Sequence, residues 1–116
     1  MVFKISKDCP TIKSIELVNG EYEIYANEDK TIEPDTQGKI STGIRMEFPN
    51  DYFAFINFKN DSVQTLAGVV DSDYRGELIV MLYNHSDKPF TFKRHEKCAT
   101  ITFHAIKHKM MVEKFE

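Results

Sequence analysis

Asp71, Asp73 and Tyr74 stand together in the run Asp71-Ser72-Asp73-Tyr74-Arg75-Gly76, with Gly68 shortly before it. Two carboxylates beside an aromatic ring form a contact surface for a small polar molecule, and loops on a rigid β-scaffold commonly carry function. Gly68 and Gly76 let the backbone approach a ligand where a Cβ would intrude. By residue type alone, the commoner use of Asp71 and Asp73 is to make a turn, and that of Tyr74 is to pack.

Residues 66–87 supply the frame for this turn. Leu66, Ala67, Val69 and Val70 precede it and Leu78-Ile79-Val80-Met81-Leu82-Tyr83 follow it, a pattern that predicts a β-hairpin. The second run is apolar on both faces, as in a strand buried between two sheets. Short alternating runs fill the rest of the chain, at residues 2–5, 15–18, 21–26, 31–32, 39–48, 52–58, 90–93, 98–103 and 110–112. Asn19-Gly20, residues 34–38, Pro49-Asn50-Asp51 and residues 94–97 read as turns between them. No helical stretch, linker or repeat breaks the rhythm, so the chain reads as all-β, a sandwich or barrel.

A chain of 116 residues makes one domain, residues 1–116, with one core. Its 18 acidic against 15 basic side chains leave no basic field for a nucleic-acid backbone, so no nucleic-acid partner is expected. No apolar run reaches membrane-spanning length and the first residues carry no apolar leader, so no membrane partner is expected either. Cys9 and Cys98 are too few for a disulfide framework, and reduced thiols in a cytoplasmic protein are the expectation. His104 and His108 on a strand would stand about 13 Å apart, too far to share a metal, though in a helix they would meet. Cys98 beside His95 lacks a third group to make it a nucleophile. The aromatic run 52–58 fits an alternating core better than base stacking.

Three segments, taken in order, resemble the trimeric dUTP pyrophosphatases. Tyr22-Glu23-Ile24-Tyr25-Ala26 is similar to the family's first motif, and Ser41-Thr42-Gly43-Ile44 with Phe48-Pro49 to its PTGI and IP segment. The run Gly68-Val69-Val70-Asp71-Ser72-Asp73-Tyr74-Arg75-Gly76-Glu77-Leu78, followed by Leu82-Tyr83-Asn84-His85-Ser86-Asp87, is similar to the third. The resemblance covers about residues 20 to 106. It implies a jelly-roll β-barrel and a homotrimer in which residues 106–112 meet a neighbouring subunit. It also implies a site in which Asp71 orients water for attack on the α-phosphorus of dUTP. Tyr74 would lie under the deoxyribose, excluding a 2′-hydroxyl, while the strand backbone around Gly68, Val69 and Gly76 reads the uracil edge.

Other motifs of that family are altered. Glu23 stands where an aspartate helps to hold Mg²⁺ through its water shell. The PRSG signature is missing: Lys59 falls at its arginine, Asn60 at its serine and Asp61 at its glycine. Where the family has GDRIAQ, this chain has His95-Glu96-Lys97-Cys98-Ala99-Thr100, with Thr100 in place of the phosphate-touching glutamine. The fifth, glycine-rich motif finds no counterpart. Lys59, Asn60 and Thr100 are therefore the phosphate-facing candidates, and Mg²⁺ would follow only if nucleotide binding survives.

The expectation is a catalytically degenerate relative that binds or sequesters a nucleotide through the third-motif hairpin. A first alternative is an interaction module docking a host or regulatory protein, of viral or phage type and placed in the host cytoplasm or nucleus. A second is an active enzyme giving dUMP and pyrophosphate.

Overall fold

The computed structural model describes residues 3–106. Along them run β1 (Lys4–Lys7), β2 (Glu16–Val18), β3 (Glu21–Tyr25), β4 (Lys30–Ile32), β5 (Thr36–Ser41) and β6 (Ile44–Glu47). They continue with β7 (Tyr52–Asn57), β8 (Val63–Leu66), β9 (Val69–Val70), β10 (Ile79–Asn84), β11 (Phe90–Phe92) and β12 (Lys97–Ala105). A five-stranded sheet has the order β2-β3-β12-β7-β9 and a three-stranded sheet the order β5-β10-β8, while β1 pairs with β6 and β11 with β4. Every pairing is antiparallel. The all-β jelly roll expected from the resemblance is the fold observed. The expected strand at residues 110–112 and the subunit-contact segment beyond Ile106 lie outside the described residues, as does His108.

Alternation makes the two sheets face one another. On β10, Val80 and Leu82 are buried while Ile79, Met81 and Tyr83 are half-buried. The strand read as apolar on both faces thus has one core face and one partly covered face. Ile40 on β5, Ile56 on β7 and Ile101 on β12 join Val80 and Leu82 in one apolar cluster with Ile24 and Ile44. Each such side chain contributes roughly 1.5–3 kcal/mol when fully buried. Asn84 is buried yet satisfied: its amide donates to the carbonyls of Ile32 and Lys88, and its oxygen accepts from the Ser86 N–H and hydroxyl.

Two local departures from the sequence reading matter for the site. The strand expected over residues 39–48 breaks at Gly43, whose φ of +69° suits glycine and whose position leaves no room for a Cβ beside Ile12. The expected hairpin is also not a simple one. Leu66 on β8 pairs with Met81 on β10, but Val69 and Val70 leave that sheet and pair with Phe55 and Ala54 on β7. The chain switches sheets at Ala67 (φ 47°) and Gly68. A Cβ on Gly68 would lie 2.3 Å from the carbonyl oxygen of Ile56, and the carbonyl of Gly68 accepts the Ile56 N–H at 2.7 Å. Only glycine permits backbones this close, so residues 71–78 become a wide loop bridging the two sheets.

Candidate functional site

That loop encloses a cavity of about 440 Å³ whose lining includes Ile56, Val69, Asp71, Asp73, Tyr74 and Glu77. β9 ends the five-stranded sheet, so one side of its backbone faces no further strand and remains open to a ligand's polar edge. Asp71 and Asp73 are exposed, and the Asp71 carbonyl accepts the Tyr74 N–H at 3.1 Å, closing a turn. The Tyr74 ring folds back over Gly76, where ring carbons lie within 3.0 Å of the point a Cβ would occupy. Its hydroxyl donates to the Glu77 carbonyl at 2.7 Å. Val69, Asp71 and Tyr74 line this one cavity, while Gly68 lies against the Ile56 carbonyl and Gly76 under the Tyr74 ring, both outside its lining.

Glu77 was not singled out by the sequence. One of its carboxylate oxygens accepts both the Gly43 N–H, at 2.8 Å, and the Ser41 hydroxyl. Its partners lie more than thirty residues earlier in the chain, and no local pattern announces such a contact.

The phosphate-facing candidates fall elsewhere. Lys59 and Thr100 line a smaller cleft of about 170 Å³ with Glu21, Asn57, Phe58 and Lys97. The Thr100 hydroxyl donates to the Asn57 carbonyl at 3.2 Å, and Asn60 spends its side-chain oxygen on the Ser62 N–H at 2.7 Å, forming a turn. Phe58, at the position where the missing signature would begin, packs edge-on against Phe92 at 5.4 Å and so anchors this segment to the core.

Glu23 is also committed. It accepts the Tyr25 hydroxyl at 3.1 Å and meets the Lys97 ammonium at 3.3 Å. Glu16, its partner across β2 and β3, accepts from the same hydroxyl at 3.1 Å. Burial first, and then these two carboxylates, push the Tyr25 phenol well above its ordinary range. Among the described residues, no group of three or more His, Cys, Asp or Glu side chains is placed to hold a metal ion. With both oxygens of Glu23 already paired, these residues do not fit a Mg²⁺ ion held by the protein itself. The two cysteines are free: Cys98 is buried, which pushes its thiol up to about 12, whereas exposed Cys9 is lowered by its Thr11 hydrogen bonds.

The antiparallel strands, with the chain changing sheets beside the cavity, make this an all-β jelly-roll protein. The family model for dUTPase matches residues 13–116, and the chain belongs to the dUTPase family. Deoxyuridine 5'-triphosphate nucleotidohydrolase of Saccharomyces cerevisiae is 38% identical over 90 residues, covering 73% of this chain and 61% of the yeast protein. The protein of the same name from Fowlpox virus is 31% identical over 117 residues, covering 97% and 81%. The chain spans about three fifths of the length of the first curated relatives it matches. The solved dUTPase of Staphylococcus bacteriophage 80alpha superposes with a TM-score of 0.82 over 99% of this chain and 98% of the phage chain, at 16% identity, which speaks to the fold alone. That phage protein is described as controlling transfer of virulence genes.

Proposed function

We propose that the cavity at residues 66–79 binds a deoxyuridine nucleotide, and that the chain cleaves dUTP to dUMP and pyrophosphate. The observation carrying this reading is the convergence of Val69, Asp71 and Tyr74 on one cavity beside an open strand edge. The relatives' names support the same substrate. Val69 and its neighbours offer backbone groups to the uracil, and the Tyr74 ring offers a flat face to the sugar. Asp71 accepts the proton of a water whose oxygen attacks the α-phosphorus; the bond from that phosphorus to the bridging oxygen breaks and pyrophosphate leaves. The test is turnover of dUTP by the full chain. Asp71→Asn should lower kcat by about 10²–10⁴, typical of a lost general base, while leaving dUMP binding in place. No measurable turnover by the unsubstituted chain would refute cleavage.

The second reading is binding without cleavage, favoured by one feature: the segment at Lys59 lacks the guanidinium and hydroxyl donors of the family signature. Each lost preorganised donor typically costs about 10²–10³ in rate. Titration with dUMP that shows binding, alongside absent turnover, would select it. For assembly we propose a homotrimer. Exposed Phe55 and Val69 are cross-strand partners on the outer face of the five-stranded sheet, which is apolar surface suited to a subunit contact. Light scattering returning a monomer mass at micromolar concentration would overturn it.

A further inference from the structure

We infer that Glu77 is a positioning residue: its carboxylate ties the cavity loop to the β5–β6 turn and thereby sets the Tyr74 ring. Only the functional consequence rests on the deoxyuridine reading above. The geometry runs through one peptide unit. The N–H of Leu78 donates to the Ile44 carbonyl at 2.8 Å, and the carbonyl of Glu77, in the same peptide plane, accepts the Tyr74 hydroxyl at 2.7 Å. The Thr42 hydroxyl donates to the Leu78 carbonyl at 2.7 Å and holds the next unit. What fixes the Glu77 end is its own side chain, whose single oxygen accepts from Gly43 N–H and Ser41 Oγ. The turn it grips is tightly packed: Gly43 is buried with a positive φ and lies close against Ile12. The β5–β6 turn thus reaches Tyr74 through Glu77, and Tyr74 lies on Gly76 at the wall of the cavity.

A carboxylate receiving two donors at one oxygen can be replaced by the amide oxygen of glutamine, but not by alanine, which leaves the Gly43 N–H unpaired. In the full chain, the α-proton of Gly76 that faces the Tyr74 ring should be displaced from its ordinary NMR position by the ring current. Glu77→Ala should return it towards that position and weaken dUMP about tenfold, the size of one lost charge-assisted hydrogen bond. Glu77→Gln should keep the Gly76 shift and hold dUMP affinity within about twofold. Ser41→Ala, which removes one of the two donors, should give a partial loss of the shift and decides the matter if Glu77→Ala fails to fold. An unchanged Gly76 shift in folded Glu77→Ala, or in Ser41→Ala if the former does not fold, overturns the inference. If the unsubstituted chain does not bind dUMP at millimolar concentration, the nucleotide reading falls, while the Gly76 resonance still decides the positioning role.

Discussion

Around Asp71 backbone meets backbone at the tightest points, whereas around Thr100 side chains make the contacts, with one another and with nearby backbone. At the cavity loop, Gly68 sits against the Ile56 carbonyl, Leu78 is bonded to Ile44, and the Glu77 carboxylate seizes a main-chain N–H. At the smaller cleft, Glu23 is shared between Tyr25 and Lys97, and Thr100 and Asn60 donate or accept within their own neighbourhood. Backbone contacts demand particular residues, because only glycine fits a carbonyl so closely. Side-chain networks tolerate many substitutions as long as donors meet acceptors. The first region therefore restricts which residues fit and leaves Asp71 and Asp73 exposed, while in the second Glu23, Asn60 and Thr100 are already paired.

Gly68→Ala should break this contrast most sharply. Its methyl would enter the space of the Ile56 carbonyl at 2.3 Å, and neither backbone can move without disturbing β7 or β9. Overpacking of this kind costs about 1–3 kcal/mol, read as a lower urea midpoint, and should abolish dUMP binding as well. Lys59→Ala, at an exposed position of the other region, should change stability by no more than about 0.5 kcal/mol. Equal costs at the two positions would erase the distinction.

Alkaline titration should single out the side-chain-held region. Burial raises the Cys98 thiol from 9.0 to about 12, so the unfolded chain loses that proton first as pH rises past about 9. The stabilisation is fully present below that value and is lost progressively between about 9 and about 12. Tyr25, raised by burial and by Glu23 and Glu16, acts in the same sense above its ordinary value of 10.0. The urea midpoint should therefore fall as pH climbs from 9, and Cys98→Ala should flatten the fall. A midpoint that holds steady up to about 12 would refute this assignment.

The same contrast explains what could be read from the residues alone. Val69, Asp71 and Tyr74 lie close together in sequence, so their place along one cavity was legible, as was the alternation that buries Val80 and Leu82. The change of sheet at Gly68 was not legible, because two apolar runs around a polar turn look the same whether they pair with each other or with different strands. Lys59 and Asn60 stand at a signature the chain lacks, and Thr100 at the end of another that is altered. Local hydrogen bonding draws Asn60 into a turn, and the Thr100 hydroxyl goes to a β7 carbonyl. The role of Glu77 depends on a partner brought near only by folding.

The smallest expected effect concerns the terminal phosphates. In the cleft, Lys59 and Lys97 are offset by Glu21, and Lys97 also faces Glu23 at 3.3 Å. Lys97 is well exposed, so water screens that pair, which contributes about 0–1 kcal/mol. Asp61, in the turn that follows Lys59, adds a further negative charge. A triphosphate placed here gains little Coulomb energy over a monophosphate, while the base and sugar keep the same contacts at the loop. The dUTP analogue with a non-cleavable α,β bridge should bind no more than about tenfold more tightly than dUMP, a difference of 1.4 kcal/mol. Lys97→Met should shift that ratio by less than about threefold and lower stability by under about 1 kcal/mol. A ratio of a hundredfold or more, collapsing in Lys97→Met, would mean that the ammonium leaves Glu23 for the phosphates and that the two regions work as one site.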